Sequence, residues 1–564
     1  MTRCPHRVHR DFHLPVLLLK FHGKRYLCWT LLAVAMIAGR VALLPWMPPP
    51  EPVAQDEFSY LLAADTFAHG RVTNPAPNHP EFFEAGHILA SPVYISKYPP
   101  GQGIVLALGQ KLTGHPYWGV VLSGALMVYL FCWAANAWLP PQWTLITGVL
   151  SVVFFFVRDY WFNSYWGGAV AASGGALVVG GMGYLFRGDL RPARFSLGLG
   201  AVVLYATRPY EGGALCLTAI VILAWYVLRL PHAKQRRALT RVVLPNVAVL
   251  AAAVPLALWY NASVTGSAFE MPYSFYARHA DLITPFWVLP PLPTKHYSTG
   301  NVAASHQWEL RSYWEMREQP LPLLLGTQLA HFGMYCLFRP FAGFCLLLLG
   351  VPWARVGQRK KFLILLFAGG LAAFLPEVWI QGHYAAPFQI VYLILIVAAA
   401  RAVWYRLACH AWGRPVTGVL IALLLAPLFM HYLAAIQHHS TRRTRLSAGL
   451  VAAGGRHLVF VDYAPGWESA NEWVYNGADL ASAPVLFAHD LGNDQNRVLL
   501  GDYPGRTAWG VRLGPRAVDF QIERYSPDFP GAGLNSPLPK EPPARIPLPR
   551  SSTLPGRDVG EYTR

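Results

Sequence analysis

Apolar runs about as long as a bilayer is thick recur along this chain, and no other feature of the sequence limits its folding so tightly. Within hydrocarbon a backbone must satisfy its own N–H and C=O groups, so a run of roughly 20 apolar residues reads as a spanning helix. Candidate spans fall at 27–46, 117–139, 142–157, 168–186, 195–207, 212–230, 242–260, 322–350, 361–376, 384–403 and 416–436. Of the 564 residues 54% are hydrophobic and 13% charged, where a soluble domain carries roughly 25% charged. The expected fold class is an all-α polytopic membrane protein with about eleven transmembrane helices.

The net charge of +17 would suit a nucleic-acid binder if the basic residues formed one surface. Instead many stand in short clusters between apolar runs, which is a topology signal. Residues 1–26 carry Arg3, Arg7, Arg10, Lys20, Lys24 and Arg25, and no small-residue cleavage site follows the first run. This reads as a basic cytoplasmic N-terminus and a retained first span. The clusters RGDLRPAR, RLPHAKQRRALTR, RVGQRKK and RLACHAWGR then all face the cytoplasm. The expected location is a bacterial inner membrane, crossed many times. Arg40, near the far end of the first run, is expected to snorkel to headgroups. The stretch 103–112 is too short to span and reads as a helix lying in the outer interface. Seven cysteines show neither a disulfide framework nor zinc-like spacing.

This threading makes 27–436 the transmembrane domain, with outer loops at 47–116 and 261–321. Residues 437–514 read as a small extracytoplasmic α/β domain, with strands in HLVFVDYA, APVLFAHD and TAWGVRLG. Asp462 and Asp490 follow two of these strands, as turn caps or as recognition groups. Residues 515–564 are proline-rich and aperiodic, the composition of a disordered or extended tail. The cluster TRRTR at 441–445 falls outside, against the charge rule.

Chemistry is expected in the outer loops. QDEFSYLLAADTFAHG opens on an acidic pair, Asp56 and Glu57, just beyond the first span. The pair suits a helix N-terminus, where carboxylates meet the positive end of the dipole, and it equally suits an acid–base centre. Further on, SKYPPGQG supplies Lys97 and Tyr98. TRPYEG supplies Arg208 and Glu211, either an ion pair across one turn or an anion site. NSYWGG contains Asn163, and GHYAAP contains His383 and Tyr384 before a late span.

The order of these motifs resembles the GT-C superfamily of integral membrane glycosyltransferases, in particular the protein O-mannosyltransferases and the lipid A aminoarabinose transferases. There the first outer loop carries an essential acidic residue, often in a pair, which Asp56-Glu57 matches. Lys97, Pro99 and Gly101 match a Lys-Pro-Gly order late in the same loop, although Tyr98 stands where proline is found in the lipid A enzymes. NSYWGG and TRPYEG are similar to segments of little-characterised bacterial members.

The resemblance implies an inverting transfer of sugar from a polyprenyl-phosphate donor to a lipid, glycan or protein acceptor, at the outer face of the membrane. Asp56 is then the candidate general base, with Glu57 orienting it or sharing a divalent cation such as Mg or Mn. Lys97, Arg208, Arg339 and His383 are candidates for the donor phosphate, and Tyr98, Tyr384, Asn163 and Glu211 for substrate contacts. A transporter or flippase of lipid-linked saccharide would suit the same charges. A polysaccharide polymerase or ligase would be expected to place its longest loop late in the chain, whereas here 47–116 exceeds 261–321.

Overall fold

The computed structural model describes residues 24–157, 159–333, 357–407, 442–464, 467, 472–514 and 520–525. The chain is mostly helical. Helices α1 (Arg25–Leu43), α2 (Gln55–Ala68), α3 (Pro100–Thr113), α4 (Tyr117–Asn136), α5 (Pro141–Val157), α6 (Gly168–Arg187), α7 (Leu190–Tyr205), α8 (Pro209–Leu228) and α9 (Leu244–Thr265) follow one another, with short strands between α2 and α3. Then come α10 (Pro272–His279), α11 (Gly300–Arg317), α12 (Leu321–His331), α13 (Gln358–Phe374) and α14 (Gln389–Leu407).

Among the described residues six helices are long and apolar enough to cross a membrane: Arg25–Leu43, Tyr117–Asn136, Gly168–Arg187, Pro209–Leu228, His232–Thr265 and Ala386–Arg406. Several other expected spans form shorter helices, as in α5 and α7. The span expected at 416–436, and most of that at 322–350, lie outside the described residues.

Small residues let the bundle close. In α6 the face bearing Gly175 meets the turn before α14, where a Cβ on Gly175 would lie 1.9 Å from the Pro387 carbonyl oxygen. Such close approach is what glycine permits and a larger residue forbids. The turn fixed in this way carries His383 and Tyr384.

The segment between α1 and α3 is folded. After α2 run β1 (Asn74–Pro75), β2 (Ile88–Leu89) and β3 (Val93–Ser96), a three-stranded antiparallel sheet in the order β1-β3-β2. Ile88 faces Ser96 and Leu89 faces Ile95 in register. The helix that follows, α3, has 14 residues, about 21 Å of helix and too short to span. Ile104, Leu108 and Leu112, four residues apart, are exposed along one side, while Gly103, Leu106 and Ala107 are buried on the other.

Arg40 departs from its sequence expectation. It is buried, bonds the hydroxyl of Tyr117, and donates to the carbonyls of Met47 (2.6 Å) and Pro48 (3.1 Å). Those carbonyls lie in the chain leaving the first helix, so the guanidinium finds protein acceptors there and has no need of headgroups.

Contacts divide the chain into two units, the second made of Glu81–Phe83, His439–Glu468 and Trp473–Arg564. Its sheet has the order β5-β4-β6-β7, with β4 (His457–Tyr463), β5 (Val485–His489) and β6 (Thr507–Leu513) parallel and β7 (Phe520–Arg524) antiparallel. Helices α15 (Arg442–Ala453) and α16 (Asn493–Asp502) complete it. Strand β7 corrects the expected boundary at 514, because Ile522 reaches the apolar core with Val511 and Leu513. The rest of the expected tail, 515–519 and 526–564, lies outside the described residues.

Asp462 pairs with Arg512 at 2.9 Å, and Asp490 accepts from Gly492 and Asn496 as a turn cap. Arg443, from the basic cluster, donates to the carbonyls of Trp473 and Tyr475. It is consumed in folding this unit.

Candidate functional site

The acidic pair at the start of α2 divides its labour. One oxygen of Glu57 accepts from the N–H groups of Val53 (2.9 Å) and Ala54 (3.0 Å), and the other accepts from Tyr165 N–H (3.1 Å). Helix N-termini leave such N–H groups without intrahelical partners, and Glu57 supplies the cap. It also bolts the helix to the chain after α5. Asp56, one residue earlier, turns the other way.

There the Asp56 carboxylate accepts a hydrogen bond from the Tyr98 hydroxyl and lies 3.5 Å from His87 Nδ1. The same hydroxyl is 3.1 Å from His87 Nδ1. Burial opposes ionisation of Asp56, but His87, through its charge and a hydrogen bond, and then Tyr98 overturn that effect and hold the carboxyl well below its ordinary range. Asp56 is therefore an anion at neutral pH.

Lys97 follows β3 and is buried at 4% exposure. Its ammonium lies 4.5 Å from the ring centroid of Tyr276, 5.1 Å from Tyr273 and 5.6 Å from Tyr98. Aromatic faces attract a cation without neutralising it. Among the described residues no carboxylate forms an ion pair with Lys97. Tyr60 stacks on Tyr98 at 4.5 Å and steadies the wall.

Gly101 ties this turn to the end of α7. Its N–H donates to the Ala206 carbonyl at 2.7 Å, and a Cβ there would lie 2.6 Å from Thr207 Cγ2. The next residue is Arg208, the N-cap of α8, which pairs with Glu211 at 3.6 Å and lies 4.5 Å over the Tyr384 ring. The ion pair across one turn read from TRPYEG therefore forms. His383 packs against Trp166 and Tyr384. Burial and then Arg208 push its imidazole well below the usual range, against the pull of Asp56, so it is neutral at neutral pH. A neutral imidazole offers one N–H to an anion, not a charge.

Of the residues singled out from sequence, Asp56, Lys97 and Tyr98 meet directly, and Arg208, Glu211, His383 and Tyr384 form a second group. Asp56 and Arg208 both act electrostatically on His383, which links the groups. Asn163 stands two residues before Tyr165, with its Oδ1 buried and without a partner. Arg339 lies outside the described residues.

Two features escaped the sequence reading. His87 has φ of 67°, the one non-glycine with positive φ among the described residues. Asp281, just after α10, and His306 and Glu309, on α11, bring one ligand atom each within 4.8 Å of one another. His306 Nδ1 lies 3.2 Å from Glu309 and 4.0 Å from Asp281, and Tyr297 stacks on the imidazole at 4.9 Å. Among the described residues no comparable group of three forms around Asp56 and Glu57.

The helical fold that holds this carboxylate and this lysine is similar to that of a solved oligosaccharyltransferase. The oligosaccharyltransferase of Archaeoglobus fulgidus, crystallised with Zn and sulfate, superposes with a TM-score of 0.50 at 13% identity, covering 87% of this chain and 68% of that one. ArnT from Cupriavidus metallidurans in the apo state gives 0.49 at 14% identity over 85% and 92% of the two chains. The same protein bound to undecaprenyl phosphate gives 0.44 at 14% over 88% and 93%. At such identities the likeness is one of fold. No protein-family model and no curated protein sequence matches the chain.

Proposed function

We propose that this protein moves a sugar from a polyprenyl-phosphate-linked donor to a lipid, glycan or protein acceptor at the outer face of a bacterial inner membrane. The reading rests on one observation above the others. Asp56 and Lys97, an anion and a cation without a carboxylate partner, both contact Tyr98, and Asp56 also faces His87. Inverting glycosyl transfer needs this polarity, because the acceptor must lose a proton while negative charge grows on the departing phosphate. Asp56 provides the carboxylate of the general base. Glu57 holds its helix in place. Lys97 meets the phosphate, and Arg208, with His383 donating a neutral N–H, extends the anion site toward Tyr384.

The fold family implies a divalent cation, and the sequence points to Asp56 and Glu57 for it. Glu57 is occupied by backbone N–H groups, so we assign the cation to Asp281, His306 and Glu309. Both carboxylates there face His306 Nδ1, which has at most one hydrogen to share, so a cation between them satisfies all three. Once bound, the ion would neutralise two carboxylates and brace the second outer loop. Metal analysis of the purified protein, with thermal unfolding before and after chelation, tests this assignment.

The function is tested by mass spectrometry of envelope lipids and glycans from a strain lacking the protein. A species that disappears, returns with the wild-type gene and stays absent with Asp56→Asn supports transfer. An unchanged profile rejects it.

A further inference from the structure

His87 occupies a backbone conformation that costs any side chain with a Cβ, and the surrounding protein holds it there from three directions. Its N–H donates to the Tyr276 hydroxyl at 2.9 Å, and its carbonyl accepts from Ser59 Oγ at 2.6 Å and from Lys97 N–H at 3.1 Å. The effect is to aim one ring nitrogen, Nδ1, at the Asp56 carboxylate and the Tyr98 hydroxyl.

Proton counting in this trio fixes the tautomer. Tyr98 has one hydroxyl hydrogen, and it goes to Asp56. The remaining polar contacts of Nδ1 are then with acceptors, the Tyr98 oxygen and the Asp56 oxygen, so Nδ1 carries a hydrogen. In a neutral imidazole the other nitrogen, Nε2, then holds the free lone pair. No hydrogen bond occupies it among the described residues, and the side chain is 18% exposed. The arrangement is that of a carboxylate orienting a histidine so that its far nitrogen can take a proton.

We infer that His87 Nε2 is the atom that receives the acceptor's proton, with Asp56 as the carboxylate that orients the ring and stabilises its charged form. The inference rests on the transfer reaction proposed above and names its base. As the acceptor oxygen bonds to the sugar's anomeric carbon, the bond from that carbon to the phosphate oxygen breaks and its electron pair leaves with the lipid phosphate. The acceptor's O–H bond breaks, its proton passes to Nε2, and the imidazolium then returns that proton to solvent. Asp56 already accepts from the Tyr98 hydroxyl and faces Nδ1, whereas Nε2 has no hydrogen-bond partner among the described residues. The titratable and charged groups facing His87 are Asp56 from α2, Tyr98 and Lys97 from the turn after β3, Tyr276 from α10 and, further off, Glu309 from α11.

Two measurements on the full-length protein test this. In detergent, diethyl pyrocarbonate acylates an imidazole nitrogen that holds a free lone pair and is open to solvent, and peptide mass spectrometry at neutral pH reads the modification at His87. His87 should be modified alongside the exposed histidines. A His87 that never reacts while they do would overturn the assignment.

In the complemented deletion strain, His87→Gln should lose the product as Asp56→Asn does, by about 10² or more, while the purified variant still binds undecaprenyl phosphate. Product lost with Asp56→Asn but kept with His87→Gln removes His87 as the base and leaves the transfer reading standing. Product kept in both removes the transfer reading itself.

Discussion

The ammonium of Lys97 sits 4.5 Å from the centre of the Tyr276 ring, and the Tyr276 hydroxyl accepts the N–H of His87. One tyrosine thus braces both the cation assigned to the donor phosphate and the histidine assigned to the acceptor. Removing the ring and removing only its hydroxyl should therefore have different effects. Tyr276→Phe keeps the face under Lys97 and should leave undecaprenyl phosphate binding intact while slowing turnover. Lys97→Ala should weaken that binding by about tenfold or more, the loss of one charge-assisted contact worth about 1.4 kcal/mol. Equilibrium binding of the lipid phosphate to both purified variants decides between them.

Asp56 carries a pH prediction with a definite sign. Its folded value is depressed, so whatever stability its ionisation contributes is complete above the ordinary carboxylate value of about 3.9 and is lost only as pH falls toward the folded value. The difference in melting temperature between wild type and Asp56→Asn should therefore shrink as the pH is lowered below that ordinary value. A difference that stays unchanged there would show that ionised Asp56 contributes no stability.

Gly175 should be intolerant of substitution although it touches no candidate site residue. In Gly175→Ala the new methyl meets the Pro387 carbonyl, and overpacking of this kind costs about 1–3 kcal/mol. The turn bearing His383 and Tyr384 must shift to admit it. A lowered melting temperature with reduced transfer is expected, and wild-type values for both would show that the turn yields freely.

Topology is open to direct test. Reporters fused after Gly188, Arg237 and Lys360 should report cytoplasm, and those after Thr73, Thr299 and Gly477 the outside. An outside signal at Arg237 would invert the arrangement and place Asp56 on the wrong face.

What the sequence disclosed follows from which interactions are local. Helix positions were legible because apolar runs and basic clusters act over short stretches, and the ion pair of Arg208 with Glu211 was legible because one helical turn joins them. The acidic pair was visible too, but not its division, since Glu57 is tied to Tyr165, 108 residues away. His87 was hidden in FEAGHILA because its backbone conformation is imposed by Ser59 and Tyr276, neither of them a sequence neighbour. The strand at Phe520–Arg524 was masked by the prolines that follow it.

The exposed stripe of Ile104, Leu108 and Leu112 on α3 begins only a few residues after Lys97. Under the proposed reading, a helix lying with that stripe among the acyl chains would work as a plumb line, setting the height of the lysine against the lipid headgroups. Tryptophan placed at Leu108 should accordingly be quenched by lipids brominated along the chain. At that height a lipid-borne phosphate would reach Lys97 by sideways drift while its hydrocarbon tail stayed dissolved in the bilayer. The encounter would become a search in two dimensions, and the tail's long apolar surface need never be exposed to water.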